Sequence, residues 1–181
     1  MADDAAPKAI ETIHRGYRCR SRLEARWMVL LDTLRVPFEY EPEGYDLEDC
    51  TGKVWYLPDF WLPRQRTWLE VKGQLIVRND PTWIKARALA SATDCPVVVF
   101  CGQIGTPGNL MGLHFFGPED DSTGFEPSPV WWFRCLVCGL WQLGRHVYEL
   151  PCDCVRREPG DDQDLVRACL AARQARFEQG R

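Results

Sequence analysis

The feature that most constrains the fold is a pair of apolar, strand-like segments, residues 54–62 and 67–72, joined by a polar turn that begins at Pro63. Such an arrangement predicts a β-hairpin. In the second segment apolar and charged side chains alternate, and successive side chains of a strand point to opposite faces. Leu69 and Val71 are therefore expected in the core. The opposite face should carry Trp68, Glu70 and Lys72.

Helices and strands are also predicted on both sides of this hairpin. Leu23, Trp27 and Leu30 recur at helical spacing, which predicts a helix over residues 21–34. The apolar, β-branched run at 95–100 is typical of a buried strand. The order helix, strands, helix, strand indicates an α/β domain with a mixed sheet flanked by helices. The other expected elements are strands at 38–41 and 110–116 and a helix at 83–92, with Pro81 at its first position.

A boundary is expected at residues 117–129, which are acidic and rich in Gly, Pro and Ser. A chain of 181 residues is long enough for one ordinary domain and a small appendage. We therefore predict a core at 1–116, a linker at 117–129, and an appendage at 130–181. The appendage would hold a cysteine-rich segment and a helix at about 161–177.

The sequence predicts a cytoplasmic protein that does not enter a membrane. No apolar stretch approaches the roughly 18 to 20 residues that a membrane-spanning helix needs. The first residues, Met1-Ala2-Asp3-Asp4, are acidic and no apolar run follows them, unlike a secretory signal.

The charge distribution suggests a surface for phosphate. Net charge is −4, yet six basic residues lie between Lys8 and Arg26 against two acidic ones. A local basic stripe can bind nucleic acid on an acidic protein, although it can also be a solvated helix face. The candidate phosphate contacts in this stripe are Arg18, Arg20 and Arg22.

The predicted hairpin would bring Asp59 alongside Glu70 and Lys72, which gathers two carboxylates and one lysine. Hard divalent cations such as Mg²⁺ or Mn²⁺ prefer carboxylate oxygens. A bound ion of this kind polarises a phosphoryl group and lowers the pKa of its water. A lysine beside carboxylates stays charged and can stabilise the negative charge that develops on phosphorus. This group is therefore suited to phosphodiester hydrolysis.

The spacing of these residues resembles that of the PD-(D/E)XK nuclease superfamily. Pro58-Asp59 is followed eleven positions later by Glu70-Val71-Lys72, and the helix that contains Glu24 precedes both. The resemblance covers about residues 15–102. Within the superfamily, the sequence resembles the resolvase-like and transposon-end endonuclease-like members. The resemblance implies a restriction-endonuclease-like core.

The resemblance also implies roles for individual residues. Asp59 and Glu70 would bind Mg²⁺ or Mn²⁺ with the carbonyl of Val71, and Lys72 would position the nucleophilic water. Glu24 would bind the ion directly or through water. Two further basic residues would contact nucleic acid: Lys85 and Arg87.

Several readings of the function remain open from the sequence. The resemblance implies a metal-dependent endonuclease of a phage, a mobile element or a repair or restriction system, acting on DNA rather than RNA. Tyr40-Glu41-Pro42 also resembles the endonuclease subunit of heteromeric transposases, which would imply a partner protein; a homodimer is the other assembly considered. The alternatives are a non-catalytic nucleic-acid-binding or assembly module and a zinc-stapled protein-interaction domain.

Four of the nine cysteines form two close pairs. Cys135 and Cys138, followed by Gly139, have the form of a zinc knuckle, and Cys152 and Cys154 follow after thirteen intervening residues. Four thiolates suit one tetrahedral, structural Zn²⁺, so a zinc-ribbon-like segment is expected. His146 could replace one sulfur, and reduced structural thiols or a redox pair are the alternatives.

Glu24 has a second interpretation. Ser21-Arg22-Leu23-Glu24 has the sequence of a capping box, in which the glutamate bonds back to the backbone N–H of the capping residue. Glu24 could therefore either stabilise the helix or serve the metal site.

Overall fold

The structure is a computed structural model that describes residues 10–49, 52–78, 80–115, 128–144, 157–159 and 163–177. The helices are α1 (Arg22–Thr33), α2 (Pro81–Thr93) and α3 (Gln163–Gln174), with a 3₁₀ turn at Pro107–Asn109. The strands are β1 (Thr12–His14), β2 (Tyr17–Cys19), β3 (Glu39–Tyr40), β4 (Tyr45–Asp49), β5 (Gly52–Tyr56), β6 (Phe60–Leu62), β7 (Thr67–Lys72), β8 (Val97–Cys101), β9 (Gly112–Phe115), β10 (Ser128–Cys135), β11 (Trp141–Gly144) and β12 (Arg157–Pro159).

The main sheet is mixed, as predicted. Its strands run in the order β11-β10-β9-β8-β7-β6-β3, and β12 also pairs with β10. Strands β7 and β8 are parallel, and the other pairings described in this sheet are antiparallel. A parallel pair needs a long crossover, and α2 supplies it between β7 and β8. The α/β class with a mixed sheet is therefore confirmed.

The two faces of the sheet are covered by different helices. Leu69 and Val71 face a core shared with α1 and α3, whereas Trp68 faces a second core formed with α2. Val97 and Val99 of β8 belong to the second core as well. The alternation in β7 thus places its side chains as predicted.

The hairpin prediction is wrong for its first segment. Residues 54–62 form two strands, β5 and β6, and only β6 pairs with β7. Strand β5 instead forms a separate hairpin with β4. Pro58 lies in the break between them, where it lacks the N–H that a ladder would need. The chain therefore changes sheet just before Asp59.

The segment beyond residue 127 packs into the same core as the first half of the chain. Strand β10 pairs with β9, so it extends the main sheet. Helix α3 packs on α1 through Leu165, Ala168, Cys169 and Ala172, which share its core cluster. Most of the predicted linker lies outside the described residues. The sequence did not indicate that the parts of the chain before and after this linker would share one core.

None of the helices in the described part of the chain is long and apolar enough to span a membrane.

Candidate active site

Asp59 occupies the break between β5 and β6 and is almost fully buried, with 2% of its surface exposed. Its carboxylate Oδ2 accepts a hydrogen bond from the backbone N–H of Val71 at 2.8 Å. Its own backbone N–H donates to Oε2 of Glu70 at 3.2 Å. These reciprocal bonds hold the two acidic residues together across the β6–β7 pair.

Glu70 is equally buried and is held from two further directions. The hydroxyl of Tyr56 donates to Oε2 at 2.8 Å, and Nζ of Lys72 lies 2.5 Å from Oε1. Lys72 itself is 37% exposed, so its ammonium group reaches solvent. Asp59, Glu70 and Lys72 therefore converge as the sequence predicted.

Glu24 joins this group from the first turn of α1. Ser21 caps the helix, since its Oγ accepts the N–H of Glu24 at 3.2 Å. The carboxylate of Glu24 accepts from the Ser21 hydroxyl at 2.7 Å, the Arg20 backbone N–H at 2.9 Å and the Tyr40 hydroxyl at 2.6 Å. The serine half of the capping box is thus confirmed. The glutamate half is wrong in detail, because its backbone partner is Arg20, one residue before the cap.

Arg20 lies inside the acidic cluster. Its Nη2 is 2.7 Å from Oδ1 of Asp59, and its Nε pairs with Oε1 of Glu41. The backbone of Glu41 has φ of +44°, a conformation that is unfavourable for a residue with a side chain. The N–H of Glu41 donates to the carbonyl of Asp59 at 2.9 Å. This conformation thus holds a further carboxylate beside the site.

Sequence reasoning gave Arg20 a different role and did not include Glu41, Tyr40 or Tyr56 among the site residues. The signal for Glu41 was present in Tyr40-Glu41-Pro42, which was noted only as a resemblance. The same pattern contains Tyr40, whereas no local pattern marks Tyr56, because its contact with Glu70 crosses between elements.

The electrostatics of the cluster reflect crowded negative charge. Burial, together with the carboxylates of Glu70 and Glu24, raises the pKa of Asp59 well above its usual range. Burial alone would lower the pKa of Lys72, but Glu70 and Asp59 raise it above its ordinary value. Burial also raises the pKa of Glu41, against the opposing effect of Arg20. Added positive charge would therefore favour the ionised carboxylates.

Asp59, between β5 and β6, and Glu70, on β7, offer the carboxylate oxygens that a hard divalent cation prefers. Among the described residues, no three acidic, histidine or cysteine side chains are already spaced to bind one ion. Arg20 pairs with Oδ1 of Asp59, and Lys72 pairs with Oε1 of Glu70. Both cations are partly exposed and so can yield these oxygens to an ion. The carbonyl of Val71 as a third ligand stays a prediction.

The predicted phosphate contacts are spread around the cluster. Nζ of Lys85 lies 5.8 Å from the ring centre of Tyr56. The hydroxyl of this tyrosine bonds to Glu70. Arg22 lines a groove beside the site, whereas Arg18 forms an exposed pair with Glu11. The remaining candidate, Arg87, is exposed on α2.

A groove of about 650 Å³ opens next to the cluster, between the start of α1 and the residues after β7. Glu24 and Lys72 lie on its wall with Arg26 and Gln103, which are hydrogen-bonded to each other at 3.2 Å. Its lining is mixed, and three cationic side chains in it, those of Arg22, Arg26 and Lys72, can attract an anionic chain.

The first cysteine pair lies in a tight turn at the end of β10. Cys135 ends β10, and its Sγ accepts the backbone N–H of Cys138 at 3.5 Å. Gly139 follows with φ of +70° and donates its N–H to the Cys135 carbonyl at 2.8 Å. This turn brings residues 135 and 138 to one end of the β10–β11 hairpin. Three other predicted candidates, Cys152, Cys154 and His146, lie outside the described residues, so the zinc site stays a prediction.

Comparison of the chain with protein-family models, curated proteins and solved structures finds no match.

Proposed function

We propose that the protein is a nuclease of the PD-(D/E)XK type that hydrolyses phosphodiester bonds with Mg²⁺ or Mn²⁺, with DNA as its substrate. One observation supports this above the others. Glu70 accepts the backbone N–H of Asp59 and pairs with Lys72, so two buried carboxylates and a lysine lie together. A buried charged cluster costs stability unless its members are well paired, so its presence is typical of a functional site.

Each side chain has a role that follows from its contacts. Asp59 and Glu70 would hold the ion, and Glu24 would add a carboxylate from α1. The ion, when bound, would polarise the phosphoryl oxygen and acidify a water. Lys72 would orient that water and balance charge on phosphorus, since its ammonium group lies beside Glu70 and reaches the groove.

The groove gives the substrate a path. A strand lying along it would pass Arg22 and Arg26 of α1 before reaching Lys72. Contacts from arginine to phosphate position a nucleic acid without reading its sequence. The proposed specificity is therefore for the phosphodiester backbone at this site.

The test is cleavage of a substrate panel with and without Mg²⁺ or Mn²⁺: linear, nicked, branched and single-stranded DNA, and RNA. Asp59→Asn and Lys72→Ala should each lower the rate at least about a hundredfold, the scale of losing an electrostatic contact to the transition state. Asp46→Asn and Lys53→Ala are matched controls, because both residues are exposed on the β4–β5 hairpin. Cleavage in excess chelator, or full activity in both site variants, would contradict the proposal.

A second candidate function is a nucleic-acid-binding module without catalysis. It is favoured by the fact that Arg20 and Lys72 already neutralise Asp59 and Glu70, as in a purely structural ion-pair network. The same panel separates the two functions. A module would bind nucleic acid without cutting it, and its binding would not respond to Mg²⁺.

A further inference from the structure

Arg20 forms the closest cationic contact to the proposed metal ligand Asp59. Its Nη2 lies 2.7 Å from Oδ1, the carboxylate oxygen that the Val71 N–H leaves open. Through Nε the same guanidinium also pairs with Glu41. A guanidinium has donors on both edges of one plane, so it can join two carboxylates that would otherwise repel each other.

The charges explain why a cation is needed at this position. Four carboxylates, those of Glu24, Glu41, Asp59 and Glu70, surround two cationic side chains. Arg20 and Lys72 each neutralise one of the two most buried acids. Without Arg20, the Asp59 side chain, which is 2% exposed, would keep one hydrogen-bond partner among the described residues, the Val71 N–H. A buried charge left in this way destabilises the fold.

The two partners of the Arg20–Asp59 ion pair differ in their exposure to solvent. Asp59 is 2% exposed and is fixed by the Val71 N–H, whereas the Arg20 side chain is 50% exposed. The backbone of Arg20 is held by Glu24, which accepts its N–H. The guanidinium can therefore leave Asp59 toward solvent while the chain around it stays in place.

We infer that Arg20 is a resident cation that occupies the ion's place at Oδ1 of Asp59 and must be displaced before a divalent cation binds. Once displaced, it stays next to Glu41, and its outer nitrogens become available to a phosphate oxygen. Arg20 is thus a positioning residue that couples metal binding to substrate binding. This inference rests on the proposed function, because it takes Asp59 as a metal ligand.

The test is direct measurement of Mn²⁺ binding from the spectrum of free Mn²⁺, with no nucleic acid present. Arg20→Gln should bind Mn²⁺ at least about fivefold more tightly than the parent, because the ion no longer displaces a charge-assisted bond. Arg18→Gln is the matched control. It removes the same charge two positions earlier, where the guanidinium pairs with Glu11 outside the cluster. Its affinity should stay within about twofold of the parent, since exposed charges are screened.

The outcomes separate this inference from the proposed function. If the parent binds Mn²⁺ and Arg20→Gln binds it equally or more weakly, the resident-cation role is wrong and the nuclease proposal stands. Equal tightening in Arg18→Gln also contradicts the inference, because the effect would then be general charge. If neither the parent nor Arg20→Gln binds Mn²⁺, both proposals fail.

A second variant covers the case in which Arg20→Gln does not fold. Arg20→Lys keeps the charge but cannot join Asp59 and Glu41 with one planar group. It should bind Mn²⁺ more tightly than the parent but less tightly than the glutamine variant. An affinity at or below that of the parent would count against displacement.

Discussion

The carboxylate of Glu24 bears on both of the roles that the sequence presented as alternatives. Its carboxylate bonds to Ser21, to the Arg20 backbone and to Tyr40, which is structural work at the start of α1. The same carboxylate lies close enough to Asp59 to help raise the pKa of that residue. Glu24 therefore stabilises the helix and also adds negative charge to the site.

Replacing Glu24 with Gln should separate the two roles. Glutamine can accept from Arg20 and Tyr40 through its oxygen and donate to Ser21 through its nitrogen, so the unfolding free energy should stay equal or rise slightly. The cleavage rate should fall at least about tenfold, because one carboxylate of the metal site is lost. Urea unfolding and cleavage at saturating Mg²⁺ measure the two effects.

Ser21→Ala is the control with the opposite expectation. Loss of the cap should cost about 1 kcal/mol of stability with little effect on the rate. If Glu24→Gln cleaves as fast as the parent, Glu24 is only a capping residue.

The residues of the site were predictable from sequence to different degrees. Glu70 and Lys72 share a face because strands have a period of two, and a hairpin placed Asp59 beside them. Arg20, just before α1, and Glu41, just after β3, contact Asp59 from outside that hairpin. No short-range pattern encodes such contacts, because they depend on how separate elements pack.

At the level of elements, helices were easier to predict than strands. Helix α1 was expected at 21–34 and spans Arg22–Thr33, since its apolar spacing and its capping serine agree. The β4–β5 hairpin was missed, because its first strand, Tyr45–Asp49, is mostly acidic and lies off the main sheet. A strand that buries little apolar surface leaves only a weak pattern in the sequence.

The β10–β11 hairpin carries the zinc prediction. Protein purified without added metal should contain about one zinc per chain if four thiolates share one tetrahedral ion. Cys135→Ser should lower this content and loosen the hairpin, whereas Cys101→Ser on β8 should leave the content unchanged. Elemental analysis and limited proteolysis check both expectations.

Gly139→Ala tests the turn apart from the metal. No atom lies within 4 Å of the added Cβ, so the cost comes from the positive φ alone. The substitution should lower the free energy of unfolding by about 1 kcal/mol, and zinc should be retained. Zinc-free parent protein with undiminished protease resistance would mean that the four cysteines are ordinary thiols.

At the scale of the whole molecule, the packing of α3 on α1 joins distant parts of the chain. We expect a single unfolding transition in urea, with far-ultraviolet circular dichroism and tryptophan fluorescence changing together. Ala168 is fully buried, so Ala168→Leu should destabilise this one transition by about 1–3 kcal/mol through overpacking. Val166→Leu, on the exposed side of α3, should change the free energy of unfolding by less than about 0.5 kcal/mol.

Two separate transitions would contradict this expectation. So would an effect of Ala168→Leu that is limited to the signal of one half of the chain. Either result would mean that residues 128–177 fold as an independent unit, as the composition of the linker first suggested.

The packing of α1 against α3 also has a consequence for synthesis on the ribosome. Helix α1 leaves the exit tunnel on the order of ten seconds before α3 at ordinary elongation rates. During that interval the apolar side of α1 has no cover from Leu165 and Ala168, so a nascent-chain chaperone is expected to bind there. Because α1 carries Glu24, the acidic site is also expected to reach its final geometry only after α3 has been translated.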